Sequence, residues 1–151
     1  MRISAKVDYA LRALAVLAAA GATRTKGDVI AAQQDIPLHF LENILRDLKR
    51  AGIVDARRGS TGGYRLAVEA NSVTVADVIR VVEGPLADVH GAAPESVAYT
   101  GPAAALRDVW IAVRANLRAV LESVTLADVS TGQLPDAVAD LVNVTDAWAR
   151  R

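Results

Sequence analysis

The 151-residue sequence contains no cysteine and few aromatic residues. Without cysteine the chain can form no disulfide, no thiolate zinc site and no cysteine-ligated iron–sulfur cluster. Aromatic residues make up 4% of the sequence, whereas hydrophobic residues of all kinds make up 52%. Much of that hydrophobic content is alanine, valine and leucine, and alanine and leucine favour helices. The composition therefore predicts a mainly α-helical protein with a substantial hydrophobic core.

Long apolar runs are also absent. The stretch ALRALAVLAAAGA is interrupted by Arg12 and is shorter than the roughly 20 apolar residues that span a bilayer. Asp8 precedes this stretch and Arg12 breaks it, which does not fit the apolar region of a secretory signal. We therefore expect a cytoplasmic protein with no membrane partner.

The formal net charge is zero, but the two signs are unevenly distributed. Residues 1–66 carry 11 basic and 6 acidic side chains, whereas residues 67–151 carry 6 basic and 11 acidic ones. A basic half on a neutral protein indicates a local site for a polyanion. Chance segregation of charge would give the same count, so the charge pattern alone leaves both interpretations open.

The spacing of apolar residues predicts three helices and a β-hairpin in the first 66 residues. The first helix begins after Ser4 and ends at Gly21, the second is capped by Thr25, and the third has Pro37 near its start and closes at Gly52. IVDAR and GGYRLA then form two strands around RGSTG. This order is typical of a winged helix-turn-helix, so the predicted fold class is mainly α with a small β-hairpin. The buried positions expected in the second and third helices are Val29, Ile30, Ala32, Leu38, Leu41, Ile44, Leu45 and Leu48.

The second half of the chain has three further periodic segments. A fourth helix is capped by Thr74, with Asp77 at the third following position. Residues 85–101 are punctuated by proline and glycine and predict a loop. The longest periodic segment covers about residues 102–124, and TLADVSTGQLP predicts a short capped helix before a weakly amphipathic tail at 136–151.

Four stretches match a known family in the right order. They are MRISAKVDYALRALAVLA, IPLHFLENILRDLKRAGIVDARRGSTGGYRLA, VTVADVIRVVEGP and LRDVWIAVRANLRAVLESVTLADV, and they cover most of residues 1–130. The combination Phe-Leu-Glu, Ala-Gly-Ile-Val and Arg-Gly-x-x-Gly-Gly-Tyr resembles the Rrf2 family of bacterial transcription regulators. The resemblance implies a homodimer with two winged heads, joined by a dimerisation helix at about residues 102–124.

The long helix also carries more apolar surface than one helix on a small head can bury. A row of large apolar residues flanked by arginines suits a helix–helix seam, although a core helix within one chain would show the same pattern. We expect a DNA-binding head over residues 1–84, a linker or sensor loop over 85–101, and the dimerisation helix with its tail over 102–151. The expected dimerisation residues are Leu106, Val109, Trp110, Val113, Leu117, Val120 and Leu121.

Two segments of the head supply candidate DNA contacts. The start of a recognition helix enters the major groove, where asparagine can bond an adenine edge and an aromatic ring can contact a thymine methyl. Arginines in a glycine-rich wing suit a narrow minor groove, and small polar residues and a lysine at a helix start suit phosphates. Tyr64 is expected to pack under the wing, and Arg2, Lys6 and Arg46 are weaker phosphate candidates. The predicted DNA-binding residues are Lys26, Pro37, His39, Phe40, Asn43, Arg57, Arg58, Gly59, Ser60 and Thr61.

The sensing chemistry of the family does not carry over to this sequence. In well-known members, three cysteines in the linker hold an iron–sulfur cluster, but the equivalent stretch ADVHGAAPESVAYTG has none. Asp8 is expected to pair with Arg12, and His90 with two nearby carboxylates is a poor metal site. We therefore predict no cofactor and no metal. A small molecule near Tyr99 and Trp110, a partner protein, or constitutive repression remain open as the means of control.

Together these observations predict a homodimeric, sequence-specific DNA-binding regulator, a repressor that reads an inverted repeat in double-stranded DNA. An enzyme is not expected, because the sequence shows no nucleophile–base pair, no glycine-rich phosphate loop before a helix and no paired carboxylates on one face. The alternative is a winged-helix module that binds another protein rather than DNA. The arginine-rich wing beside outward-facing polar residues favours DNA.

Overall fold

A computed structural model describes residues 3–149 and shows seven α-helices and one two-stranded antiparallel hairpin in that range. Short 3₁₀ turns occupy Ala70–Ser72, Pro94–Ser96 and Gly101–Ala103. This architecture confirms the predicted fold class. In chain order the elements are α1 (Ala5–Ala20), α2 (Gly27–Gln34), α3 (Leu38–Arg50), β1 (Val54–Arg57), β2 (Gly63–Leu66), α4 (Val75–Val82), α5 (Leu106–Leu121), α6 (Leu126–Thr131) and α7 (Asp136–Val142).

Helix α1 is the centre of the head, because α2, α3, α4, α6 and β2 all pack against it. The Ser4 hydroxyl accepts a hydrogen bond from the Val7 amide at 3.2 Å, and the helix ends at Gly21 with a positive φ of 58°. Both ends confirm the sequence prediction. The side chains of Leu14 and Leu17 are fully buried, as the apolar spacing of the helix requires.

The prediction for the start of α2 was wrong. Lys26, not Thr25, occupies the N-cap position, and its side chain makes no capping hydrogen bond. Thr25 does not cap because its backbone pairs with the wing. Val29 and Ala32 are exposed, and the buried side of α2 consists of Ile30 and Ala31.

Leu38 was also misplaced by the prediction, since it is 42% exposed. The buried stripe of α3 begins one turn later, at Leu41, and continues through Ile44, Leu45 and Leu48 as predicted. The Leu38 side chain lies against the start of α2, where its Cδ1 would be 3.8 Å from a Cβ built on Gly27. The first turn of α3 therefore projects beyond the hydrophobic core.

Capping boxes fix the starts of α4 and α6, and these two starts lie side by side. The Thr74 hydroxyl accepts from the Asp77 amide at 3.1 Å, and the Thr125 hydroxyl accepts from the Asp128 amide at 3.2 Å. The two helix starts are joined by backbone bonds from Val75 N to Val124 O and from Leu126 N to Val73 O, both 2.9 Å. Leu126 is fully buried in the core of the head, so α6, which follows the long helix in sequence, packs against α1.

Helix α5 contains no buried residue, although it has 16 residues. The loop predicted at 85–101 contains one 3₁₀ turn and an isolated bridge between Val89 and Ala92, and it lies along α5. Glu95 of the loop pairs with Arg114 at 2.6 Å. Arg80 of α4 pairs with Glu122 at the other end of the helix. Within residues 3–149, no helix is both long and apolar enough to cross a membrane.

The hairpin is attached to the helices by backbone and charged contacts. Thr25 and Tyr64 exchange two backbone hydrogen bonds of 2.8 Å each, which adds a third chain segment to the edge of β2. Arg24 donates to the Asp55 carboxylate and, at 3.2 Å, to the Gly63 carbonyl, and Arg65 donates to the same carboxylate at 3.3 Å. The hydrogen bond from Arg24 lowers the pKa of Asp55 below its ordinary value of 3.8.

We predict that Leu126→Ala destabilises the whole head by about 2–5 kcal/mol, because it opens a cavity in the core that α6 shares with α1. Val129→Ala is the matched control, since Val129 lies on the same helix with its side chain exposed. It should change the free energy of unfolding by less than about 0.5 kcal/mol. Urea denaturation measures the free energy of unfolding of both variants. Equal, small decreases in that free energy would contradict the placement of α6 in the core.

We predict that Asp55→Asn destabilises the protein in a pH-dependent way. Because the folded pKa of Asp55 is lowered, its contribution to stability is present above the unfolded pKa and is lost as pH falls through the folded pKa. The gap in unfolding free energy between wild type and variant should therefore be widest at neutral pH and narrow below about pH 4. Val29→Ala, on the exposed face of α2, removes no titratable group, so its difference from wild type in unfolding free energy should not change with pH. For Asp55→Asn, a difference in unfolding free energy that is independent of pH would contradict the prediction.

Candidate nucleic-acid interface

A groove opens between the hairpin, helix α3 and the start of α2. The hairpin is called the wing from here on. Its turn faces α3 across the groove, and Tyr64 lies under the wing, in van der Waals range of Gly27. This placement of Tyr64 agrees with the sequence prediction. The charged side chains that line the groove are Lys26, Arg46, Lys49, Arg57, Arg58 and Glu42.

Most of the cations in the groove have no anionic partner. Within residues 3–149, Lys26, Lys49, Arg57 and Arg58 form no salt bridge. Arg46 donates to the Asn43 amide oxygen at 3.0 Å, which leaves its charge uncompensated. Five cations against one carboxylate make the groove strongly positive, and a concave surface focuses that field.

The wing can turn back on itself only with glycine at two positions. A Cβ on Gly62 would lie 2.2 Å from the Arg57 carbonyl oxygen, closer than any real contact. Gly63 has a φ of 134°, and a Cβ there would lie 2.8 Å from the Thr25 carbonyl oxygen. The turn between the strands is closed by a hydrogen bond from Gly62 N to Gly59 O at 3.0 Å. This tight reversal leaves Arg58, Ser60 and Thr61 exposed at the tip.

The outer face at the start of α3 is exposed and mixed in character. His39 and Phe40 stand side by side with their ring centroids 4.9 Å apart, and Phe40 is 52% exposed. Pro37 is the exposed N-cap residue. Asn43 lies one turn further on and is exposed. An exposed aromatic, an imidazole and an amide on one helix face offer the apolar and hydrogen-bonding groups that read base edges.

The structure brings some predicted residues together and separates others. Lys26, Arg57, Arg58 and Gly59 line the groove. Ser60 and Thr61 lie at the wing tip, and His39, Phe40 and Asn43 lie on the outer face of α3. Lys6 does not face the groove because it pairs with Asp47 at 3.0 Å and donates to the Val82 carbonyl at 3.2 Å. Arg2 lies outside the described residues.

Sequence reasoning missed the contribution of the α3 stripe to the groove. Glu42, Arg46 and Lys49 are spaced four and three residues apart and therefore share one face of the helix. The prediction gave Arg46 only as a weaker phosphate candidate and did not include Lys49 among the DNA contacts. The spacing was a usable signal, but only the position of the wing shows that this face lines the groove.

The expected dimerisation residues occupy α5. Leu106, Val109, Trp110 and Val113 are between 37% and 48% exposed. Leu117, Val120 and Leu121 are half-buried. Five of the seven line one apolar groove together with Leu141 of α7. They are Val109, Val113, Leu117, Val120 and Leu121. The indole of Trp110 donates to the Tyr99 hydroxyl at 3.1 Å, so part of this helix is covered by the linker.

The family model described as "Rrf2: Iron-dependent Transcriptional regulator" matches residues 3–132. The chain is 48% identical over 144 residues to Rv1287 of Mycobacterium tuberculosis, which is named as an HTH-type transcriptional regulator, and the match covers 95% of this chain and 89% of that protein. It is 36% identical to the HTH-type transcriptional regulator CymR of Bacillus subtilis, over 87% of this chain and 91% of CymR.

Solved structures show the same fold. The structure of CymR, titled the global cysteine regulator of B. subtilis, superposes with a TM-score of 0.75 at 35% identity, covering 87% of this chain and 98% of that one. The IscR structure of T. potens has a TM-score of 0.71 at 31% identity, covering 91% of this chain and 90% of that one.

The residues of this chain do not fit the iron chemistry in the family's description. The sequence offers no thiolate. In the linker, Asp88 accepts from the Gly91 amide at 2.9 Å and Glu95 is paired with Arg114. Asp8 of α1 is paired with Arg12 at 3.1 Å. Nowhere in residues 3–149 do three histidine or carboxylate groups meet as a metal site. The chain belongs to the Rrf2 family of helix-turn-helix transcriptional regulators, as a member without cysteine.

Proposed function

We propose that the protein is a homodimeric repressor that binds an inverted repeat in double-stranded DNA without an iron–sulfur cluster. The observation that carries this proposal is the groove in which five cations face one carboxylate, beside the exposed His39 and Phe40 of α3. Unpaired cations in a concave surface attract the phosphate backbone, and the adjacent helix face offers groups for base edges.

Different parts of the head contact different parts of the duplex. The N-terminal turns of α3 enter the major groove, where Phe40 meets thymine methyls, Asn43 bonds an adenine edge and His39 contacts a base or a phosphate. The wing tip enters the neighbouring minor groove with Arg57 and Arg58. The phosphate strand between the two grooves then runs over Lys26, Arg46 and Lys49.

Glu42 favours one type of base next to this groove. Phosphates repel a carboxylate. A hydrogen bond from the amino group of cytosine, which is accessible in the major groove, offsets that repulsion. Glu42 lies in the groove, and within residues 3–149 it has no cationic partner, so its oxygens are available. We expect a cytosine to be read at the position nearest this side chain.

Helix α5 forms the proposed dimer interface and also links an effector to the head. Its apolar face is exposed in the single chain, and a second copy is the simplest cover for it. The linker packs on α5 through Glu95 and Tyr99, and α5 reaches α4 through Arg80 and Glu122. A small molecule or partner protein that moves the linker would therefore act on the dimer helix and the head together.

Selection of genomic fragments by the purified protein, followed by footprinting, tests the proposed function. We expect enrichment of a palindromic site whose half-sites lie about 34 Å apart, one turn of the duplex, because a two-fold dimer presents two equivalent α3 helices. Protection should extend into the minor groove next to each half-site. No enriched palindrome at moderate salt would contradict DNA binding and leave the wing as a surface for another protein.

We predict that Arg58→Ala weakens binding to the selected site by about 1–3 kcal/mol if the side chain reaches a base, or lowers the salt slope by about one if it holds a phosphate. Arg12→Ala is the control, since Arg12 carries the same charge but is paired with Asp8 on α1. Fluorescence anisotropy over a series of salt concentrations separates the two effects. If neither affinity nor slope changes, the wing takes no part in binding.

A further inference from the structure

The C-terminal segment, defined as residues 134–148 and including α7, exposes several large apolar side chains. Leu141 is 54% exposed and Trp148 is 82% exposed, and Leu134, Val142 and Val144 are also exposed. The Trp148 indole is satisfied within the segment, because it donates to the Val142 carbonyl at 2.9 Å. A cluster of exposed apolar groups of this size marks an interaction surface.

This segment and helix α5 form one continuous apolar surface. Leu141 of α7 closes one side of the groove whose other residues, Val109, Val113, Leu117 and Val120 among them, belong to α5. Anything that covers the exposed face of α5 therefore also meets the C-terminal segment.

The area of α5 is too small to hold a dimer alone. Its 16 residues make a rod about 24 Å long and about 10 Å wide, so the half that faces a partner offers roughly 500 Å² of accessible surface. A stable interface buries about 800 Å² on each partner. The C-terminal segment supplies additional apolar surface, because it adjoins α5 through Leu141 and is exposed.

Charge identifies which part of the partner the segment meets. Helix α7 carries Asp136 and Asp140 and no basic residue. At the start of the long helix, Arg107 is 55% exposed, and its ion pair is with its own neighbour Asp108 at 3.5 Å. A two-fold axis across the middle of α5 would pair the two helices antiparallel and place the start of one opposite the end of the other, beside the groove that Leu141 closes.

We propose that the C-terminal segment of each copy packs across the first half of α5 of a second copy and completes the dimer interface. This inference rests on the homodimer of the proposed function. Leu141 and Trp148 become buried there, and the carboxylates of α7 face the partner subunit's Arg107. The residues that line this groove all belong to α5 or α7.

Sedimentation equilibrium of the full chain tests the proposal with the double variant Leu141→Ser, Trp148→Ser. We expect its dimer dissociation constant to rise at least tenfold, because the variant loses two large anchors from the interface. Val68→Ser is the control: Val68 is 41% exposed but lies on the head, and its loss should leave the constant unchanged. Circular dichroism should show the same helix content for the wild type, the double variant and the control, so that a change in the constant does not reflect loss of the fold.

A spectroscopic measurement separates a direct contact from an indirect one. Trp110→Phe leaves Trp148 as the one tryptophan, because the sequence has two. In the dimer, Trp148 should emit at shorter wavelength and resist acrylamide quenching, compared with the same chain made monomeric by Val113→Asp. A wild-type dimer whose constant is unchanged by the serine variant, or whose Trp148 stays fully quenched, overturns this inference alone. A wild-type chain that is monomeric at every concentration overturns the proposed homodimer as well.

Discussion

The pair of backbone hydrogen bonds between Thr25 and Tyr64 determines the shape of the basic groove between the wing and α3. These bonds hold the wing against the start of α2, and so fix the distance from the wing to α3, which packs on α2. The pairing requires glycine at position 63, where any side chain would strike the Thr25 carbonyl. Without this contact the two-stranded hairpin would have no partner at its edge, and a two-stranded hairpin alone is marginally stable in water.

The same region separates structural charges from functional ones. Asp55 accepts hydrogen bonds from Arg24 and Arg65, which brace the wing from outside the groove. Because one carboxylate satisfies both of these arginines, Arg57 and Arg58 remain unpaired and can meet an external anion. A basic surface is therefore maintained on a chain of zero net charge, since the compensating acids lie elsewhere in the fold.

Local signals made most of the fold predictable, whereas long-range contacts did not. Ser4, Thr74 and Thr125 were readable as helix caps because capping depends on residues within one turn. Thr25 has the right side chain for a cap, but its backbone is engaged by Tyr64, 39 positions away in the chain. The position of Lys49 in the groove could not be predicted from local sequence either, because it depends on where the wing lies. The family resemblance supplied the order of elements but not these contacts.

The twin helix starts at Thr74 and Thr125 have a geometric consequence for DNA recognition. The chain leaves the head after α4, runs through the linker and α5, and returns to the point where α4 began. Both ends of this excursion are thus anchored on one rigid body that also carries α3. In a two-fold assembly built on α5, the separation and the rotational phase of the two recognition helices are then fixed within each protomer. In the proposed dimer, this closed loop of chain would set the length of the spacer between the two half-sites.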